Sequence, residues 1–249
     1  SESIERIKSL TEERRIGIVG KYAVSRDAYA SVFEAISHAG WANNVRAIGE
    51  LVDSEAIERN KDDLSGYDAF IVPGGFGGRG TEGKIKAISF ARENNKPLLG
   101  ICFGFQLSVI EFARNAIGLN DANSSELDPN TRHPVIDLLP EQKGIKEKGG
   151  TMRLGVRDVV LKKGTQAFNA YQQEVIHKRF RHRYEVNPDY VDKLEQAGFI
   201  FSGFDPIKNI MKVGELKNAK LIGSQYHPEF DSRLEQPEEL FDWLVKKTL

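Results

Sequence analysis

An apolar run from Pro97 to Ala113, which contains the only cysteine of the chain, most constrains how this chain can fold. Up to Ile101 the run has the character of a buried strand, and beyond Cys102 its residues have the spacing of a helix. Glycines stand two residues before and two residues after Cys102. Small residues there permit a sharp, strained turn that a side chain would block, so the run predicts a nucleophile elbow with Cys102 at its apex. Taken alone, the stretch is also compatible with an inert core cysteine.

A second glycine-rich turn follows another predicted strand, at Gly74 and Gly75. Glycine permits close backbone approach, so the Gly75 amide can meet the amide of Phe103, the first residue of the helix after Cys102. Two amides that converge from different loops form an oxyanion hole. A glycine turn without a ligand is the alternative.

Strands and helices alternate through the first half of the chain. This alternation predicts an α/β fold, a three-layer αβα sandwich around a mostly parallel, mixed sheet. Functional sites in such sheets lie beyond the carboxyl ends of strands, where both glycine turns and Cys102 fall. The predicted strands are 15–21, 44–52, 68–75 and 96–101, and the predicted helices are 27–39, ended by Gly40, a short helix capped by Ser54, 81–94 and 103–116.

The second half of the chain predicts antiparallel additions to this sheet. Residues 119–150 are rich in Asn, Asp, Pro, Gly and Lys, and we interpret them as long ordered loops over the sheet. Residues 152–161 alternate like an antiparallel strand, and 199–204, 210–213 and 221–226 predict three consecutive antiparallel partners. Asn187 and Pro188 are predicted to cap a helix to Ala197, and 237–247 to form a closing helix.

Composition excludes several kinds of partner. The 249 residues carry a net charge of -1, so no nucleic-acid surface is expected. No stretch reaches the roughly 20 apolar residues of a membrane span, and residues 1–13 are too charged for a secretory signal. A single cysteine excludes an internal disulfide and predicts a reducing, cytoplasmic compartment.

The segment from Gly78 to Lys84 has the spacing of a phosphate-binding loop and lies between a strand and a helix. Such a loop needs a Ser or Thr after its lysine to hold magnesium, and here that residue is Ile85. We therefore do not expect nucleotide hydrolysis at this segment.

Among the five histidines, His227 is the candidate base for a cysteine nucleophile. It follows a predicted strand, and Glu229 lies two residues further on, where an extended chain projects side chains to the same side. A carboxylate on one ring nitrogen fixes the tautomer and leaves the other nitrogen to exchange protons with a thiol. The sequence thus predicts a Cys102-His227-Glu229 triad, with an ordinary surface His-Glu pair as the alternative.

Three blocks of this sequence resemble the class I, triad-type glutamine amidotransferases: Pro73-Gly-Gly75, Gly100 to Gln106 and His227-Pro-Glu229. Four further blocks are similar to the glutaminase domain of CTP synthases: 74–80, 123–126, 149–155 and 181–187. The resemblance covers the chain from about Arg14 onward. It implies a glutaminase domain over 14–249, a remnant of an interdomain linker over 1–13, and an N-terminal synthetase domain that is absent from this sequence.

The resemblance also assigns roles to single residues. Cys102 is then the nucleophile, His227 the base and acid, and Glu229 its orienting partner, with the amides of Gly75 and Phe103 as the oxyanion hole. A metal ion is not implied. The implied glutamine-binding residues are Gly75, Phe76, Phe103, Gly104, Phe105, Gln106, Glu126 and Arg183. Phe103 and Phe105 depart from the Leu-Gly-Met that is usual after the cysteine in this family. The resemblance therefore does not define the shape of the pocket wall at these residues.

By the same resemblance, the expected reaction is hydrolysis of L-glutamine to glutamate and ammonia through a γ-glutamyl thioester. The implied whole enzyme is a C-N ligase, a homotetramer whose synthetase domain uses Mg-ATP to aminate UTP to CTP. No cofactor is expected in this domain, and GTP is the expected allosteric activator. The glycine-rich loop 77–83 is the predicted responsive lid.

Two other functions remain open on the sequence. One is a thiol hydrolase of the same fold that acts on γ-glutamyl peptides. The other is a regulatory or interaction module whose triad is silent without its partner domain.

Overall fold

The computed structural model describes residues 2–21, 26–143 and 152–249. Its helices are α1 Glu2–Lys8, α2 Ala30–Ala42, α3 Ser54–Glu58, α4 Thr81–Glu93, α5 Phe103–Asn115, α6 Pro140–Lys143, α7 Gln166–Tyr171, α8 Pro188–Gln196 and α9 Glu239–Lys246, with 3-10 turns at Arg26–Tyr29 and Pro228–Phe230. Its strands are β1 Glu13–Gly20, β2 Arg46–Asp53, β3 Ala69–Val72, β4 Leu98–Ile101, β5 Ala122–Ser124, β6 His133–Asp137, β7 Arg153–Leu161, β8 Val175–His182, β9 Glu185–Val186, β10 Phe199–Phe204, β11 Met211–Leu216 and β12 Leu221–Ser224.

A nine-stranded mixed sheet runs through the middle of the protein in the order β2-β1-β3-β4-β12-β11-β10-β7-β8. The first five strands in this order are parallel to one another. From β12 onward, every neighbouring pair is antiparallel. The predicted parallel sheet with antiparallel additions is therefore confirmed.

Helices cover the sheet on both faces and enclose two apolar cores. Residues alternate between these cores along a strand, as the pleat requires: Phe70 and Val72 belong to one core, and Ala69 and Ile71 to the other. Apolar residues of α3, α4, α5 and α8 pack in the first core, and those of α2, α7 and α9 in the second. This is the three-layer αβα sandwich that the sequence predicts.

The carboxyl ends of β3, β4 and β12 meet at one edge of the sheet because these three strands are adjacent and parallel. Gly74 and Gly75 follow β3, Cys102 follows β4, and His227 lies three residues beyond β12. The topology alone therefore brings three distant segments of the sequence together.

A second, three-stranded sheet forms from β5, β6 and β9. Its central strand, β6, is parallel to β5 and antiparallel to β9. Glu126 lies just after β5 and Arg183 just before β9, so this sheet holds the two side chains near each other. The sequence predicts only ordered loops here, because strands of two to five residues have little periodicity.

Residues 177–184, over which we predict no strand, are basic and contain most of β8. Its side chains alternate between exposed and buried, and Lys178 is among the buried ones. Its Nζ lies 3.0 Å from Glu238 Oε1 and 3.1 Å from Asp231 Oδ2. These carboxylates are distant in sequence, so a single-sequence pattern indicates a charged surface where a buried ion pair exists.

Two predicted helix ends are wrong. Helix α2 continues through Gly40, where an added Cβ would lie 2.7 Å from Ala47 Cβ, so this glycine is needed for packing and does not end the helix. Asp53, not Ser54, caps α3, and its carboxylate accepts a hydrogen bond from the Glu55 amide. The Asn187-Pro188 cap of α8 is confirmed.

The described part of the chain contains no helix that is long and apolar enough to cross a membrane. Residues 2–8, in the segment that we interpret as a linker remnant, form α1; whether the domain boundary falls at 13 and 14 stays a prediction. Residues 144–151, which belong to the predicted loop region and to one of the resembling blocks, lie outside the described residues.

A substitution at Gly104 tests how closely the elbow packs against the sheet. An added Cβ would lie 1.9 Å from the Val72 carbonyl oxygen, which is a backbone atom that cannot rotate away. We expect Gly104→Ala to lower the free energy of unfolding by about 3 kcal/mol, because overpacking forces the backbone to move. Urea denaturation measures this change.

Gly78→Ala is the matched control, since an added Cβ there meets nothing within 4 Å. It should change the free energy of unfolding by no more than about 1 kcal/mol. Equal stability of the Gly104 variant and the wild type would contradict the described packing.

Candidate active site

Cys102 occupies a strained turn between β4 and α5. Its φ of 53° and ψ of -100° lie outside the regions that side chains prefer. An added Cβ on Gly100 would lie 2.8 Å from the Gly104 carbonyl oxygen, so both flanking glycines are required by close backbone contacts. The predicted elbow is confirmed, and a strain of this kind is typical of functional positions.

The Cys102 side chain is only 4% exposed and has two polar neighbours. Its thiol donates a weak hydrogen bond to the Arg181 carbonyl oxygen at 3.8 Å. The Gln225 side-chain nitrogen donates to Sγ at 3.6 Å. Sequence reasoning assigned no contact to either neighbour, because Arg181 and Gln225 are 79 and 123 residues away from Cys102.

His227 and Glu229 form the predicted hydrogen-bonded pair, with 2.8 Å between Nδ1 of the ring and the carboxylate. Nε2, the other ring nitrogen, is buried and has no hydrogen-bond partner among the described residues. The ring packs on Gly74, where an added Cβ would lie 3.0 Å from His227 Cε1 and 3.5 Å from Cys102 Cβ. Gly74 therefore lets the imidazole and the cysteine share one side of the loop.

The electrostatics of His227 favour its charged form. Burial lowers its pKa, but the neighbouring Cys102 and the carboxylate of Glu229 outweigh burial and raise this pKa to about 10. A histidine charged at neutral pH beside a thiol stabilises the thiolate, which is the nucleophilic form of cysteine. Proton exchange between the two groups requires the thiol to turn from Arg181 toward Nε2.

The amides of Gly75 and Phe103 flank Cys102 in the loop after β3 and in the first turn of α5. Neither amide donates a hydrogen bond to another described residue. The first amides of a helix have no partner within it and carry partial positive charge. Both amides are thus available to an oxygen atom of a ligand.

A narrow cleft of about 10 Å³ opens on one side of Cys102. Burial raises the pKa of Glu126, and the nearby Arg183 partly offsets this effect. Gln106 is engaged with the protein, since its side-chain nitrogen donates to the Tyr184 carbonyl at 2.8 Å and to Gln225 Oε1 at 3.0 Å. The cleft is lined by Gly75, Phe76, Cys102, Phe103, Gln106, Glu126, His182, Arg183 and Tyr184.

Two of the predicted glutamine-binding residues do not line this cleft. The Phe105 ring is fully buried and packs against Gly214 and Gly223 in the sheet, so it does not shape the cleft wall. The Gly104 backbone packs against the Val72 carbonyl at the end of β3 and does not face the cleft. Both were assigned to the pocket by the family resemblance, but successive residues of a helix point in different directions.

A larger cavity, of about 370 Å³, opens on the other side of Cys102. The 3-10 turn Arg26–Tyr29 and the start of α2 contribute much of its lining, together with Arg181. Phe76, which is half exposed, borders both this cavity and the narrow cleft. The sequence analysis did not find this cavity, because no motif marks the segment 27–32.

A buried ionic cluster supports the segment that carries Arg183. Glu185 lies 2.6 Å from Lys212 Nζ, 2.8 Å from His182 Nε2 and 3.0 Å from Arg153 Nε. Burial opposes the charge on Glu185, but His182 and Lys212 outweigh burial and lower its pKa to about 2. The Glu185 carboxylate binds His182 of β8 and Lys212 of β11, and so connects the two strands. These contacts orient the turn at Arg183 and Tyr184, which precedes Glu185.

The remaining histidines have other neighbours: His38 contacts Ser232, His133 contacts Tyr190 and His177 contacts Asp158. Within the described ranges, no group of three or more His, Cys, Asp or Glu side chains is arranged to hold a metal ion.

Comparison with known proteins agrees with this geometry. The family model for glutamine amidotransferase class-I matches residues 24–247. The chain belongs to the class I glutamine amidotransferase family.

Within this family, the chain is similar to CTP synthases. It is 52% identical to the CTP synthase of Archaeoglobus fulgidus over 249 residues, covering 100% of this chain and 47% of that protein. It is 50% identical to the CTP synthase of Thermococcus kodakarensis over 248 residues, covering 98% of this chain and 46% of that protein. The chain therefore spans about half the length of the curated relatives it matches.

Among solved structures, the chain is similar to the glutaminase domain of CTPS from Trypanosoma brucei, determined with bound acivicin. The TM-score is 0.87 at 34% identity, and the match covers 94% of this chain and 93% of that one. The predicted resemblance to the glutaminase half of CTP synthases is confirmed.

Glu229→Gln tests the electrostatic coupling of the class I amidotransferase pair. Because the Glu229 carboxylate helps to raise the pKa of His227 to about 10, its neutralisation should lower that pKa. NMR titration of the His227 ring measures the shift. Glu235→Gln, a change at an exposed neighbouring carboxylate, should leave the titration unchanged. An unaltered His227 pKa in Glu229→Gln would contradict the described pair.

Proposed function

We propose that this domain hydrolyses L-glutamine to glutamate and ammonia through a γ-glutamyl thioester on Cys102. The main support is the position of Gly74 after β3. Because Gly74 has no side chain, the His227 ring and Cys102 Cβ both pack close to its Cα. The strained elbow and the two available amides support the same reaction.

In the first step, the Cys102 thiolate attacks the side-chain carboxamide carbon of glutamine. A C–S bond forms, and the carbonyl electron pair moves to the oxygen, which the Gly75 and Phe103 amides stabilise. The intermediate then collapses and the C–N bond breaks. His227 gives its Nε2 proton to the departing nitrogen, which leaves as ammonia.

In the second step, neutral His227 takes a proton from a water molecule that attacks the thioester carbon. A C–O bond forms, the C–S bond breaks, and the sulfur leaves as thiolate beside the recharged imidazolium. Glu229 holds the ring in one tautomer through both steps by accepting a hydrogen bond from Nδ1–H. Glutamate is released and the enzyme returns to its starting charge state.

The narrow cleft provides the charges that a free amino acid requires. The Glu126 carboxylate suits the ammonium of the substrate, and the Arg183 guanidinium suits its α-carboxylate. Phe76 is placed to pack on the methylene chain. A volume of about 10 Å³ is too small for glutamine, so substrate entry requires the cleft to open. Phe76 and the adjoining residues 77–79 are exposed, and they are the part of this segment that can move.

The ammonia serves a synthetase domain if the whole protein resembles its relatives. That domain would use Mg-ATP to activate UTP and would aminate it to CTP. GTP would activate the glutaminase step, with the loop 77–83 as the responsive lid, and the whole enzyme would be a homotetramer. The similarity to CTP synthases of twice this length supports the proposal.

Covalent labelling tests the proposed nucleophile. A chloromethyl ketone analogue of glutamine should modify Cys102, and excess glutamine should slow the modification, as peptide mapping by mass spectrometry can measure. The Cys102→Ala variant should remain unlabelled. Modification at another residue, or labelling of Cys102→Ala, would overturn the assignment.

The same protein distinguishes the competing functions. Ammonia release from glutamine should exceed cleavage of γ-glutamyl peptides, and it should increase when a CTP synthase synthetase domain and GTP are added. Faster turnover of the peptides would favour a peptide hydrolase. No turnover under any of these conditions, with Cys102 unreactive, would favour an interaction module.

A further inference from the structure

The lysine of the segment Gly78–Lys84 is turned into the protein, away from any phosphate that a loop of this spacing would bind. Lys84 lies in the first turn of α4 and is 3% exposed. The preceding Gly83 packs so tightly that an added Cβ would lie 1.7 Å from the Ser54 carbonyl oxygen. The loop is therefore packed against α3, and its lysine is free for a different role.

Lys84 lies close to the two residues whose amides form the proposed oxyanion hole. Its Nζ would be 3.7 Å from a Cβ added to Gly75. The same nitrogen lies 5.4 Å from the centre of the Phe103 ring, in a cation–π contact. One ammonium group thus lies near both residues that supply the amides.

No carboxylate neutralises this ammonium within the described part of the chain. Burial and, to a lesser extent, Lys21 at the end of β1 lower its pKa to about 8. An unpaired buried charge is costly for the folded state, so its retention needs a compensating role.

The surrounding elements offer Lys84 few other charges. On α3, Glu55 is held by Arg79 at 2.7 Å. On α5, Glu111 is held by Arg92 at 2.8 Å. The strands β3 and β4 are apolar, and Lys21 is the charged group that acts on Lys84.

We propose that Lys84 is a positioning residue that keeps a positive charge near the Gly75 and Phe103 amides and so stabilises the oxyanion that forms between them. The inference rests on the proposed glutamine hydrolysis. A fixed charge in a buried site acts strongly on nearby developing charge, because little water screens it.

Two electrophiles separate an effect on the oxyanion from an effect on the thiolate. A chloromethyl ketone analogue of glutamine reacts through attack on its carbonyl, which generates an oxyanion in the hole. Iodoacetamide alkylates the same thiolate by direct displacement of iodide, with no oxyanion there. The ratio of the two rates of Cys102 modification therefore reports on the oxyanion hole.

Lys84→Met in the full chain is the test variant, since it keeps the length of the side chain and removes the charge. We expect its ketone rate to fall about tenfold, less than the loss of a direct oxyanion donor costs. The iodoacetamide rate should remain at the wild-type value. Lys86→Met, on the exposed side of the same helix, is the control and should change neither rate. The midpoint of thermal unfolding should be equal or higher in Lys84→Met, because an unpaired buried charge has been removed.

A pH series on the wild type gives an independent readout. Lys84 is charged below pH 8 and loses its proton as the pH rises through about 8. The ketone-to-iodoacetamide ratio should therefore fall over that interval in the wild type and in Lys86→Met, and stay flat in Lys84→Met. The Lys84→Met variant, measured over the same interval, controls for every other group that changes its charge there.

Three results would overturn the inference: an unchanged ratio in Lys84→Met, an equal fall in both rates, or a wild-type ratio that does not depend on pH. A failure of glutamine hydrolysis itself would look different. In that case Cys102→Ser would keep the ammonia-releasing activity of the wild type, or glutamine would not protect Cys102 from the ketone.

Discussion

The contact between the backbone of Gly104 and the Val72 carbonyl governs the arrangement of the whole site. It allows α5 to begin directly against β3, and together with Gly100 it forces Cys102 into a left-handed conformation. Any side chain at Gly104 would move the start of α5. The thiol, the first amide of the helix and the glycine loop after β3 would then lose their common position.

Around this fixed point, the sheet brings residues together in two different ways. Three adjacent parallel strands, β3, β4 and β12, place the glycine loop, Cys102 and His227 at one edge of the sheet. These three strands belong to the central sheet. The small sheet of β5, β6 and β9 brings Glu126 and Arg183 together from outside that frame. In the proposed reaction, the chemistry thus lies on the central sheet, and substrate selection lies on an appended layer beside a nearly closed cleft.

The sequence predicts the local features well and misses those that depend on distant partners. Glycines around Cys102 and the His227-Glu229 spacing are local patterns, and the structure has the predicted elbow and hydrogen bond. Lys178 and its partner Glu238 are 60 residues apart, so no local pattern predicts their buried ion pair. Phe105 was assigned to the pocket by the family resemblance, whereas its ring packs against Gly214 in β11 and Gly223 in β12. Lys84 belongs to the same class, since only packing shows which way it points.

Rapid-quench mass spectrometry with glutamine tests the central claim most directly. The account predicts that a γ-glutamyl group accumulates on Cys102 before ammonia release reaches its steady rate, and that His227→Gln slows its formation. Turnover of glutamine without any adduct on Cys102, or with an adduct on another residue, would contradict the account.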